Sequence, residues 1–595
     1  MALSRRLTAF GRRTALALFL SLAVGGAVAA ADSGWVARSN ADAQPLLKVF
    51  GDFSPETAGQ LGIPGYDERV ADLKPDVGAR FRRASAEARQ ALQAKLAAEQ
   101  DPQVRQDLQI MIDAAQRQID SSAINEKYLL PFTDVGQTVF QGEFVLLQDQ
   151  VAEQRRASAL VRLKRYTGLE KGYTPLTELA KQRFTERMGD AQLRGPFKRE
   201  VEQALANTQR YSEGVRKLYA KYKIKGADQA LAALDSQLKD YADWARATVL
   251  PRTREDFRLP EDLYADNLKN VGLDIPPREL VAKAELAYTE IRNQMQALAP
   301  LVAKQHGLTL TDYRDVIRAL KKDQLPTDRI EPTYHEVIGQ IEDIIRREHI
   351  VSLPKRAMIM RLASEAETAA QPAPHMDPPA LVGNTGERGT FVLPLGNPSA
   401  SGDTSDSYDD FNHKGGTWTL TAHEGRPGHE LQFSAMVERG VSLARTLFAF
   451  NSVNVEGWAL YAEAEMQPYE PLDGQLFALQ ARLMRAARAI LDPKLNLGEI
   501  SAERAYEVLT QEVVLSPAMA RQEVDRYTFR APGQANAYFY GYTKLMELRA
   551  EAELALGKKF DRLAFNDFVI GQGLLPPALL RRAVMDEFIP AQMKR

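Results

Sequence analysis

The sequence contains no cysteine in 595 residues, which excludes disulfides, thiolate metal ligands, a cysteine nucleophile and a lipid-modified N-terminal cysteine together. Histidine is scarce, with seven in the chain, so imidazole chemistry has few places to sit. Beyond the N-terminal region no apolar run reaches the roughly 18 residues that a membrane span requires. Neither sign of charge dominates. The 76 basic residues meet 78 acidic ones, a balance that speaks against nucleic acid as a partner. A G-x-S-x-G elbow and a P-loop are absent, and so are the paired E-x-x-H motifs of a carboxylate-bridged di-iron bundle. What remains is a chain with 45% hydrophobic residues, long enough to bury a large core, whose stability must come from that burial.

Arg5, Arg6, Arg12 and Arg13 precede an apolar run over 15–28 that ends in Ala27-Val28-Ala29, the pattern of a secretory signal over residues 1–30. The mature chain is expected to begin near Ala30 to Asp32, to be mildly acidic once those arginines are gone, and to be exported to the periplasm without lasting membrane insertion. Thr14-Ala15-Leu16 continues Arg12-Arg13 poorly for the twin-arginine route, so ordinary secretion is the expected path.

Apolar residues recur at three- and four-residue intervals over 79–100, 196–222, 227–247, 277–305 and 327–350, which predicts long amphipathic helices. Pro277 opens one of them and Gly307 closes it. The texture changes after 350. Residues 358–362 and 390–395 read as short strands, separated by a Pro/Ala stretch over 371–379, and 396–416 reads as a loop. His413 in that loop either touches substrate or lies on the surface. Helical patterns return over 475–491, 501–513 and 534–555, the second with Ser501 as its cap. The fold class is mainly α, one helical domain over 31–595 with lobes at about 31–350 and 351–595 and a small β element before the motif described next.

Two of the seven histidines fall in Thr421-Ala422-His423-Glu424-Gly425-Arg426-Pro427-Gly428-His429-Glu430-Leu431-Gln432. Two imidazoles and one further protein ligand suit a zinc ion that keeps a position for water, and Glu424 beside the first histidine is placed to take that water's proton. The spacing differs from the helical H-E-x-x-H motif, whose histidines share one face. At about 100° per residue, side chains six apart diverge by about 120° around a straight helix. Pro427 cannot donate to the carbonyl of His423 and crowds it, and Gly428 tolerates unusual backbone angles. A break over 425–428 that swings His429 back toward His423 is therefore expected.

The third ligand is sought in Asn454-Val455-Glu456-Gly457-Trp458-Ala459-Leu460-Tyr461-Ala462-Glu463. Glu456 is preferred, and Glu463, two helical turns on, either supports a ligand from behind or replaces Glu456. Tyr538 and Tyr542, four residues apart on one helix face, are candidates for donating to a tetrahedral oxyanion, with aromatic core packing as the alternative for each. Arg526 and Arg530 could neutralise a substrate carboxylate or form salt bridges in the bundle. His335-Glu336 repeats the start of the motif without a second histidine in register and reads as helix surface.

The H-E-x-x-P-G-H-x-x-Q pattern, the E-G-W-A-L-Y-A-E stretch and Pro532-Gly533-Gln534-Ala535-Asn536-Ala537-Tyr538 resemble the bacterial domain of unknown function 885, a family grouped with glutamate-ligand zincin metallopeptidases. The specific motifs lie between about 415 and 550. More distantly the arrangement resembles thimet oligopeptidase, angiotensin-converting enzyme and the thermostable carboxypeptidases, whose H-E-x-G-H becomes the present pattern by insertion of two residues ahead of the glycine. The resemblance implies His423, His429 and Glu456 as ligands of one Zn²⁺ ion, Glu424 as general base with Tyr538 and Tyr542 near the reaction, and a large helical zincin-like fold with a deep cleft between two lobes. The expected function is an exported zinc metallopeptidase acting on short peptides or a small amide. An exported helical peptide-binding protein without turnover is the alternative, and the oligomeric state is open. Two departures bear on substrate preference. Glu430 stands where the family often has a second histidine, free to repel or to bind through water, and Asp492-Pro493-Lys494-Leu495-Asn496 replaces D-T-G-x-H, leaving any histidine role there to Asn496.

Overall fold

The computed structural model describes residues 34–396 and 407–595. The expected signal segment and the 397–406 part of the predicted loop lie outside the described residues. The chain is mainly helical, and no described helix is long and apolar enough to cross a membrane.

The first half is built from long helices, among them α1 (Val77–Ala98), α2 (Pro102–Tyr128), α3 (Lys198–Lys221), α4 (Asp228–Trp244), α5 (Pro277–Gln305) and α6 (Thr327–Arg347). Local chemistry sets their starts. Asp101 caps α2 by accepting from the Gln103 N–H at 2.9 Å, with Pro102 as the first helical residue, where its missing N–H costs nothing. Val104, Leu108, Met111 and Ala115 then recur on one buried face, and truncating such a side chain to alanine costs about 2–5 kcal/mol.

Three short strands follow: β1 (Ile359–Leu362), β2 (His375–Asp377) and β3 (Thr390–Leu393). Their order is β1-β3-β2, with β1 parallel and β2 antiparallel to β3. This corrects one sequence expectation, since the Pro/Ala stretch contains a strand. The strand that precedes the histidine motif, β3, is the central one and is paired on both sides. Thr390, Phe391, Val392 and Leu393 are all buried, so both faces of β3 are covered as well. Met358, Met360, Phe391 and Leu393 pack with Tyr334 of α6 and Leu420, which seats the sheet against the segment that carries the motif.

The second half holds α7 (Lys414–Leu420), α8 (His429–Arg439), α9 (Ser452–Met466), α10 (Leu472–Asn496), α11 (Pro517–Asp525) and α12 (Asn536–Leu556). Helix α9 is buried almost all round, as a central helix must be. It crosses α12 at Gly457 and Gly541, where a Cβ on either glycine would lie inside contact distance of the other helix's backbone. A single apolar core joins Leu46, Leu108 and Met111 near the N-terminus to Leu431, Trp458 and Phe565. Through it runs a buried ion pair, Arg445 Nε to Asp107 Oδ1 at 2.9 Å, with Ser39 and Ser442 donating to the other carboxylate oxygen.

Candidate metal centre

Helix α7 does not run straight into α8. It continues as a π-helical turn over Thr421–Gly425, a form that recurs at functional sites. Arg426 is then extended (φ −121°, ψ 134°), the Arg426–Pro427 peptide is cis, and α8 begins at His429. The departure from α-geometry thus starts before Gly425 and includes His423 and Glu424 themselves. Gly428 owes its identity to close approach and not to a positive φ, since its φ is −76°. A Cβ there would run into the carbonyl oxygens of Ala422 and His423. That return of the chain onto its own preceding turn brings the two imidazole rings to 4.8 Å between centroids, at 80° to each other.

Arg426 pins the break from inside. Its Nε donates to Glu430 Oε2 at 2.8 Å, Nη1 to Glu342 of α6 at 2.6 Å and Nη2 to the Arg356 carbonyl at 2.5 Å. Glu430 is fully buried and also accepts from Ser434 Oγ at 2.6 Å. It therefore holds the loop, in place of the repulsion or water-bridged binding read from its replacement of a histidine. Trp458 Nε1 donates to the Pro427 carbonyl at 3.0 Å, tying α9 to the same break.

Three ligand atoms of His423, His429 and Glu456 lie within 4.8 Å of one another. Glu456 Oε2 is 3.3 Å from His429 Nε2 and 3.6 Å from His423 Nε2. Glu463 approaches from the other side of His423, its Oε1 lying 2.6 Å from Nδ1, while its Oε2 accepts from Thr419 Oγ1 at 3.0 Å. A carboxylate at Nδ1 fixes the proton there and leaves Nε2 as a bare lone pair facing Glu456. Lone pair then faces lone pair, and Glu456 Oε2 is buried with no hydrogen bond. Such a constellation is costly unless a cation sits in it, and one neutral imidazole pair plus a carboxylate is a donor set that fits zinc. Burial alone would raise the Glu456 carboxyl; it is held well below its ordinary range only where the two imidazoles carry protons toward it, the same demand for positive charge that an ion would meet. Burial prevails at Glu424, pushing it up to about 7 against the pull of His429; Glu424 Oε1 stands 4.0 Å from His423 Nε2.

The Tyr538 ring lies nearly parallel to that of His423, at 6.1 Å and 13°, and its hydroxyl oxygen accepts from Arg526 Nη1 at 3.2 Å. Tyr542, one turn further along α12, packs on the apolar core with Arg482 over its ring at 5.6 Å. The remaining sequence candidates take structural posts. His413 is neither on the surface nor placed as a free side chain: it is buried against Phe477, and its Nδ1 accepts from the Gly416 N–H at 3.1 Å to cap α7. Burial and then the Lys321 charge lower its pKa to about 4. Arg530 binds Gln203 at 2.8 Å. Asp492 accepts from Tyr264 at 2.7 Å and from the Gly533 N–H at 2.9 Å, while Asn496 donates to the carbonyls of Asp492 and Tyr527. Sequence reasoning missed Arg485 and Arg488, which line a cavity with His423, Glu424 and Tyr538. The available signal was Arg482, Arg485 and Arg488 at intervals of three within one predicted helix.

A family model described as "Bacterial protein of unknown function (DUF885)" matches residues 55–584. Two solved structures share the fold, each titled as that of a putative lipoprotein. The one from Colwellia psychrerythraea has a TM-score of 0.75 at 20% identity, covering 93% of this chain and 99% of its own. The one from Shewanella oneidensis, of unknown function, has a TM-score of 0.67 at 20% identity, covering 92% and 98%. No curated protein matches the chain.

Proposed function

The chain belongs to the DUF885 family, and from that premise we propose that it is an exported, zinc-dependent hydrolase of the zincin type, a metallopeptidase acting on short peptides or small amides. The observation that carries the reading is the convergence of His423 Nε2, His429 and Glu456 on one buried point, with Glu463 fixing the His423 proton on the far side. His423, His429 and Glu456 would hold the ion. When bound, zinc supplies Lewis acidity for the amide carbonyl and eases deprotonation of water.

The chain's own groups then have distinct tasks. Glu424 takes a proton from the attacking water and passes it to the leaving nitrogen, and a carboxyl pushed up to about 7 is matched to that exchange at neutral pH. Tyr538 donates its O–H to the oxygen on which negative charge develops, and Arg526 behind its hydroxyl favours that donation. Of the two tyrosines expected from the sequence, Tyr538 is assigned this role, since it overlies His423 whereas Tyr542 contacts Arg482. Export rests on the residue 1–30 pattern and agrees with the lipoprotein titles of the two neighbours, although this sequence has no cysteine to carry a lipid.

The test has two readings on one preparation. Metal analysis of the purified chain should find one zinc per molecule, and a mixed peptide library read by mass spectrometry should show cleavage that a chelator stops. Stoichiometric zinc with no cleavage of any peptide or amide would reject the hydrolase.

A further inference from the structure

We infer that the cavity beside His423 and Tyr538 is an anion site, which takes the free carboxylate of the substrate and so makes the substrate a peptide or N-acyl amino acid cut next to its C-terminal carboxylate. The substrate assignment rests on the hydrolase reading above; the anion site stands on its own geometry.

The cavity, of about 70 Å³, is lined by Arg485 and Arg488 of α10 and by Arg526, which follows α11. Three guanidiniums there share two carboxylates. Arg488 holds Glu523 with two bonds of 2.7 Å, and Arg526 stands 3.7 Å from the same carboxylate. Arg485 reaches Glu463 at 3.3 Å, a carboxylate already bonded to His423. Arg485 and Arg488 are only 7% and 3% exposed, yet Arg485 Nε and Arg488 Nη1 have no hydrogen-bond partner among the described residues.

A buried guanidinium N–H without an acceptor is strongly disfavoured, and guanidinium pairs are the usual recognition element for carboxylates. Of the acidic groups that line the cavity, Asp410 is bonded to Lys321 at 2.6 Å and to the Ser516 N–H, Glu463 is engaged as described, and Glu424 faces the metal donors. None of them supplies the missing acceptor. The three cations also lie around Tyr538, with Arg488 4.3 Å above its ring, so a bound anion would sit beside the phenol assigned to the oxyanion.

Glu463 Oε1 lies within reach of both His423 and Arg485, which places the anion site one carboxylate away from the metal donors. A substrate gripped there by its terminal carboxylate has its last amide beside His423 and Glu424. Water adds to that amide carbon, the C–N bond breaks, one proton goes to the leaving nitrogen, and an acid and a free amino acid result.

The experiment compares N-benzoylglycine with its amide as calorimetric titrants of the full chain dialysed against chelator. The acid should bind at least about tenfold more tightly than the amide, the equivalent of one charge-assisted hydrogen bond. Arg526→Gln, which leaves the Arg488–Glu523 pair intact, should remove about that preference. Equal binding of acid and amide, or no binding of either, overturns the anion site. The wild-type comparison decides the matter even where the variant fails to fold. The zinc-loaded chain then separates the two readings, using N-benzoylglycylglycine and its amide. Equal hydrolysis of both compounds rejects the inference and keeps the hydrolase, while hydrolysis of neither, with the acid still preferred in binding, rejects the hydrolase and keeps the anion site.

Discussion

Glu463 places one carboxylate oxygen 2.6 Å from Nδ1 of His423, with both side chains almost wholly buried. Glu456 stands two helical turns earlier on α9 and meets the same imidazole from the opposite edge. One helix thus contributes both the carboxylate that orients the ring and the one that would share an ion with it.

The two glutamates should therefore differ on substitution. Glu456→Ala leaves two imidazoles and should abolish stoichiometric zinc, whereas Glu463→Ala should weaken it by about 10- to 100-fold, the usual cost of losing a partner behind a ligand. Zinc competition titrations rank the two variants, and the reverse order would make Glu463 the ligand.

Glu424→Gln preserves shape but cannot accept a proton. It should keep zinc and lose about 10² to 10⁴ in turnover. Wild-type rates in the zinc-loaded variant would remove Glu424 from the mechanism.

Gly428→Ala drives a Cβ into the carbonyls of Ala422 and His423, and relieving this means moving the start of α8, with His429, and the turn that carries His423 apart. The expected result is a folded protein with zinc affinity reduced at least about tenfold, as for a displaced ligand. Gly440→Ala is the control at the other end of α8, where φ is 67° and the added carbon meets no atom beyond the adjoining backbone; it should cost about 1–2 kcal/mol of stability and leave zinc binding alone.

Local chemistry explains which features were legible in the sequence. Helix α5 matches its predicted limits because a proline opens it and Gly307 turns the chain at φ 68°. The break between the histidines was legible from Pro427-Gly428, but its earlier start as a π-turn was not, and neither was the reason for Gly428, whose contacts are the carbonyls of its own preceding turn. Strand β2 is three residues long and depends on pairing with β3, information that no local pattern carries. His413 was misread because imidazole is an uncommon cap. The arginine spacing on α10 was visible, yet its meaning depends on Glu523, which arrives from a different helix.

Stability should fall as the pH rises. Burial pushes Glu143 up to about 8, with Arg162 pulling the other way and Tyr219 donating to it at 2.9 Å. Its folded value exceeds the ordinary 4.5, so its contribution is fully present below pH 4.5 and is lost as the pH climbs through 8. Asp492 and Glu470, raised by burial to about 7 and about 8, act in the same direction. Glu143→Gln keeps an acceptor for Tyr219 without the ionisation, so its urea midpoint should decline less between pH 5 and pH 9 than that of the wild type. Parallel declines would show that Glu143 does not titrate in this range.

At the crossing of Gly457 and Gly541 no side chain stands between two backbones. Glu456 adjoins one of these glycines and Tyr538 lies three residues before the other, so any tilt or slide of α12 is handed to α9 without a cushion of rotamers to absorb it. Glu456 and Tyr538 ride on the two helices that meet there, with no intervening side chain to take up a change in their spacing. A disturbance at the far end of α12 would arrive at the centre as a common displacement of both, moving the site as a whole while preserving its internal spacing.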